Sequence, residues 1–249
     1  MPTNLEDIGF ESINEVTRAK MFLDYIEKNG IRKPTYQGNY FLFNPNDNIE
    51  LWYYLSNDRN NFFITPYYAG KTRTEIKVIN AIDREFDGPK LYSWINPRAD
   101  DGDAQVVFEV PDFWIMDFDR LRGMSQNIVQ LTAFARDVRL YENEKDFQDS
   151  KGEIGKTLDG KTMQYASNYF IPTGAFSEPK DAFARFAGEI KETKEVQNNY
   201  SLGKFYLMIV NTFFGDLDVV CAKKAFEKNP DVGDLIDGHF YLSGKLVFD

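Results

Sequence analysis

The sequence predicts an α+β, mainly antiparallel β fold, with an N-terminal helix on a sheet followed by a C-terminal OB-like small β-barrel. Three observations carry this. One segment near the N-terminus has helical spacing of apolar residues, and most of the chain after it alternates with period two. Clusters of Asn, Asp, Gly and Pro break the alternating runs at short intervals. The chain has 249 residues, 43% of them hydrophobic and 16% aromatic, so it can bury a core without a disulfide or a metal.

The helix begins at Ser12. Ser12 and Glu15 have capping-box spacing, in which each side chain satisfies a free backbone N–H of the first turn. Val16, Ala19, Phe22, Leu23 and Ile26 then form one apolar face, and Gly30 stops the helix. From Gly38 the period changes. Ile49, Leu51, Tyr53 and Leu55 alternate with Glu50, Trp52, Tyr54 and Ser56. Thr74, Ile76 and Val78 form a second such run, and Val106, Phe108 and Val110 a third. Turn residues at 44–48, 57–61, 87–89 and 100–103 separate the runs, so residues 1–120 read as a helix on an antiparallel sheet of about five or six strands.

Residues 125–141 fit both a helical stripe and a strand, and the β-rich character of residues 183–249 favours the strand. Residues 145–161 are polar with three Gly, which predicts an exposed loop. Five strands are expected after Phe183, at 186–197, 204–213, 217–221, 232–238 and 239–248. Gly188 would let the first of them bend at a barrel corner. The predicted domains are 1–122, the α+β unit, and 123–249, a β-rich unit with the OB-like barrel at 183–249.

The phrases Ala133 to Asn143, Phe170 to Phe176, Phe186 to Ile190, Asp216 to Val220 and Val232 to Gly244 resemble a family of uncharacterised bacterial proteins. The resemblance covers about residues 130–249. A Trp is more typical of the pattern where this chain has Tyr241. It implies a bacterial protein, and nothing about function carries over from it.

Charge narrows the function classes. Lys and Arg total 29 against 39 Asp and Glu, a formal charge of −10. A nucleic-acid binder needs clustered cations to neutralise phosphates, and residues 183–249 hold eight Lys or Arg against ten acids. No nucleic-acid partner is expected. No apolar run reaches 18 residues, which predicts no membrane helix. The first 25 residues lack the basic start and apolar centre of a leader, and Cys221 is the one cysteine, so a cytoplasmic location is expected.

One His and one Cys leave little for the common catalytic centres. His239 opens the last predicted strand, on the same side as Tyr241 and Ser243, and could bind or act as a base. No nucleophile-elbow motif supports a triad with Ser243. Cys221 lies in an apolar run and reads as buried. Asp100, Asp101 and Asp103 are weak metal candidates, without the spacing of an EF-hand. Trp52 and Tyr54 would form an exposed aromatic binding surface if their sheet were covered on one face only; coverage of both faces is the favoured reading. Phosphate-binding glycine loops are absent, and no cofactor is expected. The sequence thus points to a non-enzymatic binding or adaptor protein with a protein partner, with Trp52, Tyr54, His239 and Tyr241 as binding residues. The rival is a carboxylate-based hydrolase, with or without a metal, working in a cleft between the two domains.

Overall fold

The computed structural model describes residues 3–10, 16–82, 88–95, 104–116, 126–152, 154–156, 159 and 162–248. A 3-10 helix, Thr3–Ile8, precedes α1, Val16–Asn29. Ala19, Phe22 and Ile26 are buried on one face of α1, as their spacing requires, and the Gly30 N–H donates to the Ile26 carbonyl where the helix ends. The Ser12–Glu15 cap lies outside the described residues.

Strands β1 (Ile31–Pro34), β2 (Gly38–Asn46), β3 (Ile49–Ser56) and β4 (Phe62–Tyr68) form an antiparallel meander. β3 is buried on both sides. Ile49, Leu51, Tyr53 and Leu55 pack with α1, the 3-10 helix and a second sheet, while Trp52 packs with Tyr40, Tyr54 and Tyr67 on the opposite face. That opposite face is covered in part by Trp114, from a short 3-10 helix at Phe113–Ile115.

The second sheet has nine strands and is mixed. It contains β5 (Thr74–Ile82), β6 (Lys90–Ile95), β7 (Ala104–Glu109), β8 (Asn127–Tyr141), β11 (Tyr169–Ile171), β12 (Phe183–Gln197), β13 (Lys204–Thr212), β14 (Gly215–Ala222) and β15 (Leu235–Val247). A two-stranded pair, β9 (Gly155–Lys156) and β10 (Thr162–Met163), stands apart. Two further short helices are α2 (Glu144–Lys151) and α3 (Thr173–Phe176). Residues 127–141 are one long strand, as favoured from sequence. Part of the segment expected as loop, 145–151, is instead helical, because Asn143 caps α2 by accepting the Asp146 N–H, and Phe147 is buried.

The chain is therefore mostly β, with few helices. The expected five strands within 183–249 are four. The segments read as two strands, 232–238 and 239–248, form one continuous β15 from Leu235 to Val247, and Gly238 lies inside it instead of ending a strand. A Cβ on Gly238 would lie 2.2 Å from the Asp137 carbonyl oxygen, so this glycine serves close backbone approach. β8 takes the remaining place, parallel to β14 and antiparallel to β15. β12 pairs with β15 through residues 183–189 and with β13 from Glu189 onward, changing partner at Glu189, one residue after Gly188. The pairings β12–β13–β14–β8–β15 thus return to β12.

The expected antiparallel sheet of residues 1–120 also divides. β5, β6 and β7 join the larger sheet, with β5 paired to β8 and β7 to β15. Ile76, Leu91 and Phe108 share one apolar core with Phe186, Met208, Val219 and Phe240. The boundary expected between residues 122 and 123 falls outside the described residues, and strands from both sides of it share this sheet.

Candidate functional site

Side chains alternate across a strand, so each large-sheet strand has an inner face in the core and an outer face. Along β15, Ile236, Phe240 and Leu242 point inward, and Leu235, Asp237, His239 and Tyr241 point outward. Register sets the outer neighbours. Ile171, Arg185, His239 and Asp137 form one row across β11, β12, β15 and β8. Tyr169, Ala187, Asp237 and Arg139 form the next row. With strands about 4.8 Å apart, each row runs about 14 Å across the sheet.

The two ends of this face are covered. At one end α2 lays Phe147 on Tyr141, Ala187 and Leu235. At the other, Tyr241 is only 8% exposed, packed with the 3-10 helix residues Leu5 and Ile8. Between them His239, Asp137 and Arg139 are exposed and Arg185 is half-buried. Phe183, 37% exposed, meets Tyr241 edge-on at 5.2 Å between centroids, and Ile171 is 46% exposed.

Below this opening lies a polar support. The buried Asp237 carboxylate accepts bonds from the Lys151 ammonium and the Tyr169 hydroxyl. Tyr169 in turn accepts from Arg185 Nε at 3.1 Å. Burial and the bond to Asp237 push the Tyr169 hydroxyl pKa up, so it stays a donor. Its bond to Arg185 raises that guanidinium further, so Arg185 is a fixed positive charge held in place. Arg136 lies over the Tyr241 ring at 5.6 Å and pairs with Asp7 at 3.8 Å. The arrangement can bind an anionic or amphipathic group.

Of the binding residues expected from sequence, His239 is in this opening and Tyr241 forms its rim. Trp52 and Tyr54 are elsewhere and offer no open aromatic surface: they are 2% and 6% exposed, in a sheet covered on both faces. Trp52 donates its indole N–H to Glu50 at 2.6 Å, and Lys245 lies over its ring at 5.0 Å while bonding Glu50. Asp100, Asp101 and Asp103 lie outside the described residues. Ser243 is fully buried and four residues from His239 along an extended strand, about 13 Å, so the two do not form a catalytic pair. Cys221 is buried, and desolvation raises its thiol pKa far above the usual range. Sequence reasoning missed Arg185, Tyr169, Arg139 and Asp137. Their outward phase was visible in the alternation of each strand, but their adjacency depends on register between distant strands.

A cleft of about 220 Å³ lies between the β4–β5 connection and β12 and β13, lined by Tyr68, Gly70, Lys71, Glu192, Leu207 and Asp218. Both oxygens of its buried carboxylate, Asp218, are occupied: Thr72 donates from N and Oγ1 at 2.8 and 2.6 Å, Gln130 Nε2 at 3.1 Å and Lys71 N at 3.3 Å. Asp218 clamps the connection in place. Among the described residues no group of three or more metal-ligating side chains converges, and no helix is long and apolar enough to cross a membrane. No protein-family model, curated protein or solved structure matches the chain.

Proposed function

We propose that the chain is a non-enzymatic binding or adaptor protein of the bacterial cytoplasm, and that a protein partner meets it across the opening around His239. One observation carries the reading: the outer sheet face is covered by α2 on one side and by the N-terminal 3-10 helix on the other, while the rows between them stay open on a supported, charged and aromatic surface. Rigid elements present these side chains, which limits the ordering cost of binding. The buried free thiol of Cys221 supports the reducing compartment.

The cyclic pairing of β12, β13, β14, β8 and β15 supports reading these strands as an OB-like barrel whose fifth strand comes from earlier in the chain. Even so, we propose no nucleic-acid partner. Phe205, Leu207 and Val220, on the outer face of β13 and β14, pack with Leu5, Ile8 and the first sheet, so no row of aromatics is free there for base stacking. A labelled oligonucleotide is expected to give no anisotropy change at physiological salt, and micromolar binding that weakens with salt overturns this.

The test of the main reading is a full-length chain with a photo-crosslinking residue in place of His239, used in the host lysate. A stoichiometric protein adduct, lost when Phe183 and Arg185 are also changed to Ala, is expected. No adduct, together with turnover in an activity screen, reverses the assignment.

A further inference from the structure

The opening around His239 carries more cations than its neighbours neutralise. Lys151 is bonded to Asp237, Arg136 pairs with Asp7, and Arg139 stands two residues from Asp137 on the same face of β8. Arg185 is the fourth. Its Nε is bonded to a neutral hydroxyl, that of Tyr169, and it forms no ion pair among the described residues. His239 is its direct neighbour on β15, and makes no side-chain hydrogen bond among the described residues. Beyond Arg185 in the row stands the exposed Ile171, and two residues earlier on β12 the exposed Phe183.

We propose that this opening binds an acidic peptide segment, taking a carboxylate on Arg185 and His239 and an adjacent apolar side chain on Phe183 and Ile171. The inference rests on the binding reading above and names the chemistry of the partner. A guanidinium offers two parallel N–H donors to a carboxylate, and charge-assisted bonds of this kind are the strong ones. Tyr169 fixes one edge of Arg185, so less side-chain freedom is lost when the other edge is used. Asp137, directly across from His239 on the far side, repels a second carboxylate there and so sets the direction in which an acidic segment lies. The overall charge of −10 makes the contrast sharper: acidic segments are repelled by the protein at large and attracted here.

The probes are a fluorescein-labelled octapeptide alternating Glu with Leu, the same peptide with Gln for every Glu, and the same peptide with phosphoserine for Glu, each titrated against the full chain. The Glu peptide is expected to bind about tenfold more tightly than the Gln peptide, as the loss of one charge-assisted bond requires. Arg185→Ala should abolish that difference, Tyr169→Phe should reduce it, and Phe183→Ala should weaken both peptides alike. Unfolding curves of each variant separate loss of binding from loss of fold. Equal affinity for Glu and Gln peptides, or a difference that survives Arg185→Ala, overturns the proposal. Phosphoserine far above Glu overturns it in favour of a phosphoryl ligand. If neither peptide binds while the crosslinker at 239 still captures a partner, the acidic-peptide inference fails and the binding reading stands. If both experiments fail, the binding reading falls with it.

Discussion

Gly70 lies so close to Asp218 that a Cβ on it would sit 2.1 Å from the carboxyl carbon. The connection between β4 and β5 passes over a buried carboxylate, and only a residue without a side chain lets the Thr72 N–H and hydroxyl reach it. Thr72 and Asp218, 146 positions apart in sequence, thereby tie the four-stranded sheet to the nine-stranded one.

Gly70→Ala must push the connection off Asp218 and is expected to cost about 1–3 kcal/mol, as overpacking does. Asp218→Ala leaves the buried Thr72 N–H and hydroxyl without their acceptor and is expected to cost about 2–4 kcal/mol. Urea unfolding curves read both. Changes under about 0.5 kcal/mol, the range of an ordinary surface substitution, would show that the clamp contributes little.

Asp7 gives stability a pH dependence. Its carboxyl, pushed up to about 7 mainly by burial, is bonded to the Ala222 N–H and faces Arg136, Glu6 and Lys224. A folded-state pKa above the unfolded one means that folding favours the protonated form. The stability it contributes is full below about pH 4 and is lost as pH rises to about 7. Asp7→Asn should flatten this part of the profile and gain on the native protein as pH passes from about 5 to about 8. The measurement is the unfolding free energy of both proteins across that range, and parallel profiles would refute it.

Lys245 bonds Glu50 and lies over the rings of Trp52 and Tyr67, at 5.0 and 5.3 Å. Lys245→Ala leaves a mostly buried carboxylate without its cation and is expected to cost about 3 kcal/mol. Combining it with Glu50→Gln should recover part of that loss. A double variant as unstable as the sum of the single ones would assign the effect to packing instead of charge.

Cys221 is buried and its thiol is raised by desolvation. In the folded protein it should react with an aromatic disulfide reagent orders of magnitude more slowly than in urea. Comparable rates would place it at an accessible site.

Periodicity alone identified α1, because Ala19, Phe22 and Ile26 repeat at helical spacing, and it identified β3 and β13; for β8 it fitted helix and strand alike, and the β-rich segment after it favoured the strand. Coverage of Trp52 and Tyr54 from both sides is the reading favoured from sequence, and they are 2% and 6% exposed. Tertiary structure decided the rest. Gly238 reads from sequence as the end of one strand and is an interior strand residue because the backbone of Asp137 in β8 lies against it. β8 closes the cycle of pairings because it runs parallel to β14, and no local signal encodes that partner. The site around His239 shows the same limit. Each strand states which of its side chains face outward, but Arg185, His239 and Asp137 become neighbours only through the register of three strands. That register is set by burial of Phe186 and Phe240 on the opposite face, where a slip by one residue would turn the core side chains out to water.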